Sequence, residues 1–152
     1  MLTVVKGTLE HATALAPRLC EADKAEIRAA TGNEDYELGL REGVLQRGRA
    51  WAVVDQDGTP FGMYGHTTLT DTIEWVWYLG ADMSPRDSIQ FARECLPYVE
   101  HIQEDFPVLL AMADSRNTRH HRWLKFAGFK DTGERHHLDD PEVEFMQWER
   151  TK

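Results

Sequence analysis

The 152-residue sequence predicts an α/β domain, α+β in layout, on three observations. Residues 50–54, 60–69 and 72–79 read as strands joined by tight turns, which implies an antiparallel meander. Helical periodicity precedes the meander over residues 10–46 and resumes after it at Ser84. A short apolar run, residues 108–113, then leads into a helix with both ends marked. A content of 41% hydrophobic and 28% charged residues fits one globular domain over residues 1–152, large enough to bury a core.

In chain order, Leu2-Thr3-Val4-Val5 is a small strand stopped by Gly7. Residues 10–19 are helical, with Pro17 kinking or ending the helix. Residues 20–30 form a second helical stretch, closed by Gly32-Asn33. A third runs over residues 34–46 on Tyr36, Leu38, Leu40, Val44 and Leu45, weakened at Gly39 and Gly43. In the meander, Asp55-Gln56-Asp57-Gly58 and Thr70-Asp71 supply the turns. Along the third strand Ile73, Trp75, Trp77 and Leu79 point one way, and Glu74, Val76 and Tyr78 the other.

Ser84, Pro85 and Asp87 open a long helix as cap, first-turn proline and third-position acid. Ile89, Ala92, Leu96, Val99 and Ile102 or Gln103 trace its expected buried face, and Pro97 predicts a bend or break. After the apolar run, Ser115 and Asn117 are both good caps. His120, Trp123, Leu124 and Ala127 then share one face. Gly128 supplies a left-handed stop, with Phe129 folding back. The tail holds Asp131-Thr132-Gly133-Glu134-Arg135, a polar connection over residues 136–141 and a last strand, residues 143–148.

The formal charge of −9 argues against nucleic acid and against an anionic membrane as partners, because both need basic surface. Cys20 and Cys95 lack metal or redox spacing, so buried reduced thiols are expected. The N-terminus is too short for a secretion signal, and no apolar run reaches membrane length. His120-His121 and His136-His137, near Asp139 and Asp140, might suggest a metal. Adjacent helical residues diverge by about 100°, so His120 and His121 cannot hold one ion, and no metal is expected.

Asn117, Gly128 eleven residues on and then Phe129, with an apolar-periodic helix between, resemble the last motif of the GNAT (GCN5-related N-acetyltransferase) superfamily. The order of elements over residues 3–148 resembles that family as well. The resemblance implies a mixed, mostly antiparallel sheet of about six to seven strands, splayed open between the strands at 72–79 and 108–113. It implies acetyl-CoA in the gap if the protein is active and no cofactor otherwise, with Leu79, Arg86 and Asn117 as cofactor-facing positions.

Two departures from the family pattern bear on activity. The family's glycine-rich pyrophosphate loop is replaced by Gly80-Ala81-Asp82-Met83-Ser84-Pro85-Arg86-Asp87-Ser88. Pro85 removes an N–H there, and Asp82 and Asp87 put negative charge where phosphate would sit. The tyrosine that serves many members as general acid is replaced by Leu124, which transfers no proton. Glu74 stands where many members hold a carboxylate base, although a rim or cross-strand pair carboxylate is the first expectation there. His66 could face the same gap, where a surface or satisfied core histidine is the first expectation.

The run from Trp75 to Phe129 further resembles GNAT-like internal virion proteins of short-tailed bacteriophages, through its Asn-Thr-x-His-x-Arg-aromatic-Leu-Lys signature. That likeness implies a catalytically degenerate protein acting by protein binding in virion structure or assembly, located in the host cytoplasm or the virion. The alternative is a diverged acetyl-CoA-dependent N-acetyltransferase acting on an amine. Arg116, Arg119 and Arg122, with Lys125 and Lys130, form one basic stripe on an acidic chain. The stripe is either a solvated helix face or a dock for an acidic phage or host protein, a second copy of this chain included. Trp51, Trp75, Trp77, Trp123 and Trp148 are expected in the core, some at an assembly face.

Overall fold

A computed structural model describes residues 1–45 and 49–152. Strand β1 (Thr3–Lys6) leads into helices α1 (Leu9–Leu15), α2 (Glu21–Thr31) and α3 (Tyr36–Leu45). The meander is β2 (Ala50–Val54), β3 (Pro60–Thr68) and β4 (Ile73–Gly80). Then come α4 (Pro85–Asp105), β5 (Val108–Asp114), α5 (Thr118–Phe126), β6 (Lys130–His136) and β7 (Phe145–Thr151). The seven strands form one sheet in the order β1-β2-β3-β4-β5-β7-β6. Only β4 and β5 run parallel; the other neighbours are antiparallel.

Apolar packing covers both faces of the sheet. On one, Phe91, Cys95 and Val99 of α4 and Trp123 and Leu124 of α5 pack on Val76, Tyr78, Leu109 and Ala111. On the other, Leu15 of α1 and Leu40 of α3 pack on Ala52, Val54 and Met63. Strand β4 sits at the centre because its two sets of side chains are claimed from both sides, Val76 and Tyr78 by the first cluster and Trp77 and Leu79 by the second. Among the described residues no helix is long and apolar enough to cross a membrane.

The parallel pairing of β4 with β5 is short. Ile73, Glu74 and Trp75 pair with Val108, Leu109 and Leu110, and the strands part beyond that point. β4 stays paired with β3 out to Gly80, and β5 with β7 out to Asp114. A wedge therefore opens between the C-terminal ends of two central strands, where backbone groups must find partners other than a strand.

Helix termini follow their local chemistry. Thr8 caps α1 in a reciprocal box with His11, and Pro17 ends that helix in a short 3-10 turn, Ala16–Arg18. Gly32 closes α2 at φ 70°. Asn117, rather than Ser115, caps α5, its side chain accepting the His120 N–H. Gly128 follows at φ 88°, and the N–H of buried Phe129 returns to the Leu124 carbonyl at 2.9 Å.

Several expectations are corrected. Helix α4 runs unbroken through Pro97. Proline there removes one backbone bond, and burial of Phe91, Cys95, Val99 and Ile102 outweighs that loss. The buried stripe matches the expected one at Val99, Ile102 and Gln103, but earlier in the helix Phe91 and Cys95 are buried and Ile89 is 54% exposed. Strand β6 is not foreseen by alternation, because nearly all its residues are exposed; its backbone pairing with β7 makes it a strand, and its charges suit a sheet edge. Strand β7 begins at Phe145 rather than Val143. Gln46, the expected end of the third helix, lies outside the described residues.

Two stability outcomes follow from these termini and breaks. Pro97→Ala should raise stability by about 1–3 kcal/mol, seen as a higher melting temperature. Gly128→Val should lower it by at least about 1–2 kcal/mol, because φ is positive and a Cβ would lie 3.0 Å from the Arg150 Nε. A melting temperature unchanged by the valine would contradict the left-handed stop.

Candidate functional site

The wide end of the wedge is filled from α2. Asp23 and Glu26 lie one turn apart on that helix and are 1% and 7% exposed, although nothing in their side chains favours burial. The Gly80 N–H, at the end of β4, donates to Asp23 Oδ2 at 2.8 Å. The Asp114 N–H, at the end of β5, donates to Glu26 Oε1 at 2.8 Å. The Asn117 carboxamide joins the two acids, donating to Asp23 Oδ1 at 2.8 Å and to Glu26 Oε2 at 2.7 Å. The Gly80 carbonyl accepts the Cys20 N–H at 2.9 Å. One helix thus ties the parted ends of both central strands.

His120 completes this cluster. Its Nδ1 lies 3.1 and 3.2 Å from the two Glu26 oxygens, and its Nε2 has no partner among the described residues. Burial works against a charged imidazole, yet the Glu26 carboxylate and its hydrogen bond, helped by Asp23, raise the His120 pKa above its ordinary value. Burial also raises the Asp23 pKa, against the hydrogen bond from Asn117, which lowers it. His121 turns elsewhere, its Nε2 2.9 Å from the Asp114 carbonyl, so the two histidines take different partners as helical geometry requires.

Two cavities flank the cluster. The larger, about 630 Å³, lies on the side of α2 and α3 and is lined by Ile27, Trp75, Trp77, Leu79 and Met112, with Glu26 and His120 among its polar groups. The smaller, about 500 Å³, lies between the start of α4 and α5, with Asp82, Met83, Ser88, Arg119 and Arg122 in its walls. Tyr78 borders both. It stacks on Trp123 at 4.9 Å with an interplanar angle of 7°, and Arg119 reaches its hydroxyl at 3.3 Å as well as the Ala81 carbonyl.

The sequence-derived candidates fall differently from expectation. Glu74 is fully buried, bonded to His66 and, at 3.2 Å, to Arg49, and it lines neither cavity. This corrects its reading as an exposed rim residue: on β4 it shares a face with Val76 and Tyr78, which is the face that α4 covers. Leu79 lies beyond the last β4–β5 pair and lines the larger cavity. Arg86 is exposed and absent from the walls of the smaller cavity. Asn117 is 2% exposed, with its donors given to the two acids and its oxygen to His120 N–H at 3.2 Å.

The basic stripe is also revised. Arg116 is exposed but pairs with Asp114 at 2.6 Å. Arg119 is half-buried against Tyr78 and Ala81, because it sits on the side of α5 that faces the end of β4. Arg122 is exposed. The three do not present one solvent-facing row.

Sequence reasoning missed Asp23 and Glu26. The available signal is their position: with Ala29 they form the buried face of α2, so two acids stand where a core stripe should be apolar.

The architecture matches solved acetyltransferases. A GCN5-related N-acetyltransferase from Kribbella flavida superposes with a TM-score of 0.72 at 15% identity, over 99% of this chain and 98% of that one. An acetyltransferase of the GNAT family from Bacillus anthracis gives 0.71 at 12%, over 99% and 94%. The aminoglycoside acetyltransferase AAC(6')-Ib, solved with coenzyme A, gives 0.68 at 15%, over 100% and 95%. No protein-family model and no curated protein matches the sequence. The chain therefore has the fold of the GNAT acetyltransferases.

A pH dependence follows from His120. Its raised pKa means that its contact with Glu26 adds stability in full below the unfolded value of about 6.5, lost as pH rises through the higher folded value. A histidine NMR titration should place His120 above about 6.5. The melting-temperature advantage over His120→Asn should shrink as pH rises through that range; an advantage that grows would contradict the assignment.

Proposed function

We propose that this chain keeps the acetyltransferase scaffold with its cofactor passage closed from within, and that it acts by binding a partner rather than by moving an acetyl group. The observation that carries this reading is the pair of α2 carboxylates in the wedge between β4 and β5. A chain threaded between those strands would have to displace both buried acids and break the four hydrogen bonds that they accept from Gly80, Asp114 and Asn117. Each buried group left unpaired costs about 1–3 kcal/mol.

The neighbouring phosphate position fits an anion poorly. Ser84 already accepts the Asp87 N–H at 3.1 Å, Gly80 N–H is taken by Asp23, and Asp82 lines the cavity beside Arg119 and Arg122. The residues present do not fit acetyl-CoA. The short-tailed-phage signature around Asn117 would make the partner a virion or host protein, approached by Arg122 and Lys125, both exposed on α5.

A second reading, an amine N-acetyltransferase, is favoured by the scaffold and by His120. An imidazole oriented by a carboxylate, on a residue that lines a cavity, has part of the arrangement of a general base. Two candidate positions do not favour a general acid: Leu124 is core, and burial pushes the Tyr78 phenol far above its ordinary range.

Calorimetric titration separates the two readings. Acetyl-CoA should show no saturable binding below about 1 mM. A dissociation constant in the micromolar range, with coenzyme A released in the presence of an amine, would establish the transferase instead.

A further inference from the structure

We propose that this chain self-associates head to tail, with the outer face of α3 on one copy docked in the groove between α4 and α5 of the next. The inference deepens the reading above, in which the protein acts by binding, and names the partner as a second copy of this chain.

The groove is the smaller cavity, about 500 Å³. Met83, Ile89 and Ala92 line it at the start of α4, and Trp123 and Phe126 line it from α5. Ile89 and Phe126 are exposed, so two large apolar side chains stand in its walls without cover. The charge on α5 has one sign. That helix holds no acidic residue, Arg119 and Arg122 line the groove, and Arg122 and Lys125 are exposed with no ion pair among the described residues. The acid of the lining, Asp82, sits ahead of α4.

An apolar groove with a basic rim takes an apolar helix face accompanied by acids. Helix α3 carries such a face. Its inner side is fixed by buried Leu40, with Tyr36 and Val44 packed on the same cluster. Leu38 and Leu45 lie seven residues apart, about two turns along one side of the helix, and both are exposed. Glu34 and Asp35 precede the helix, and Glu37 and Glu42 lie on it, against one base, Arg41.

Charge sets the geometry of the contact. A chain of net charge −9 repels a second copy at long range, and the basic face of α5 reverses that locally. Pairing either patch with itself across a two-fold axis would oppose like charges, whereas α3 against α5 opposes unlike ones. The contact is therefore heterologous: each copy offers one α3 face and one groove.

Sedimentation equilibrium on the full-length protein, without acetyl-CoA, tests this. The parent should self-associate with a dissociation constant below about 100 μM. Leu38→Gln with Leu45→Gln removes one half of the contact, and Ile89→Gln with Phe126→Gln removes the other. All four positions are exposed and helical, and glutamine is a good helix former, so both variants should melt like the parent. Each alone should lose at least about tenfold in self-association. Mixed, they should form a one-to-one complex, because one keeps the α3 face and the other keeps the groove. Arg122→Glu should weaken the parent's association at least about threefold, and as a single change at an exposed site it serves if a double variant misfolds. A parent that stays monomeric at about 100 μM, association untouched by the glutamines or by Arg122→Glu, or a mixture that does not pair would overturn the proposal. A monomeric parent that binds no acetyl-CoA would move the partner to another protein and leave the non-transferase reading standing. Micromolar acetyl-CoA binding with release of coenzyme A, by a protein that assembles as described, would overturn that reading alone.

Discussion

Everything around the centre of this protein depends on how two parted strands satisfy their backbones. Strands β4 and β5 pair over three residues and then separate, leaving polar groups at Gly80 and Asp114 inside the molecule. A buried N–H without a partner is costly, and these two are met by carboxylates from one helix. Burying two acids is itself unfavourable. The arrangement holds because Asn117 bridges them, His120 adds a donor beside Glu26, and the Asp23 carboxyl moves towards its neutral form.

The same cluster fills the wedge with the chain's own side chains. Tyr78, stacked on Trp123 beside the cluster, borders both cavities. Among the described residues the cluster leaves one nitrogen unmet, the buried His120 Nε2. A single polar cluster thus satisfies the ends of both strands.

The acidic character of the chain fits this picture. A net charge of −9 and the carboxylates of Asp82 and Asp87 near the start of α4 work against a polyanionic ligand. The arginines of α5 do not reverse this, since Arg116 is paired with Asp114 and Arg119 with the end of β4.

The sequence by itself determined most elements and the motif at residues 117–129. A cap that accepts an N–H, an apolar face and a glycine stop are local requirements, and they act within one turn of helix. The meander was equally legible, because alternation and turn residues are local too. Strand β6 was not, since an exposed edge strand is defined by its partner rather than by its pattern. The continuity of α4 through Pro97 was decided by packing against the sheet. Asp23 and Glu26 show the same division most clearly. Helical spacing placed them among charges on α2, and only tertiary structure, by bringing that helix across the ends of β4 and β5, turned two ordinary surface residue types into the buried polar centre of the protein. Burial and hydrogen bonding are properties of neighbours, and the neighbours of these two acids lie 57 and 88 residues away in the chain.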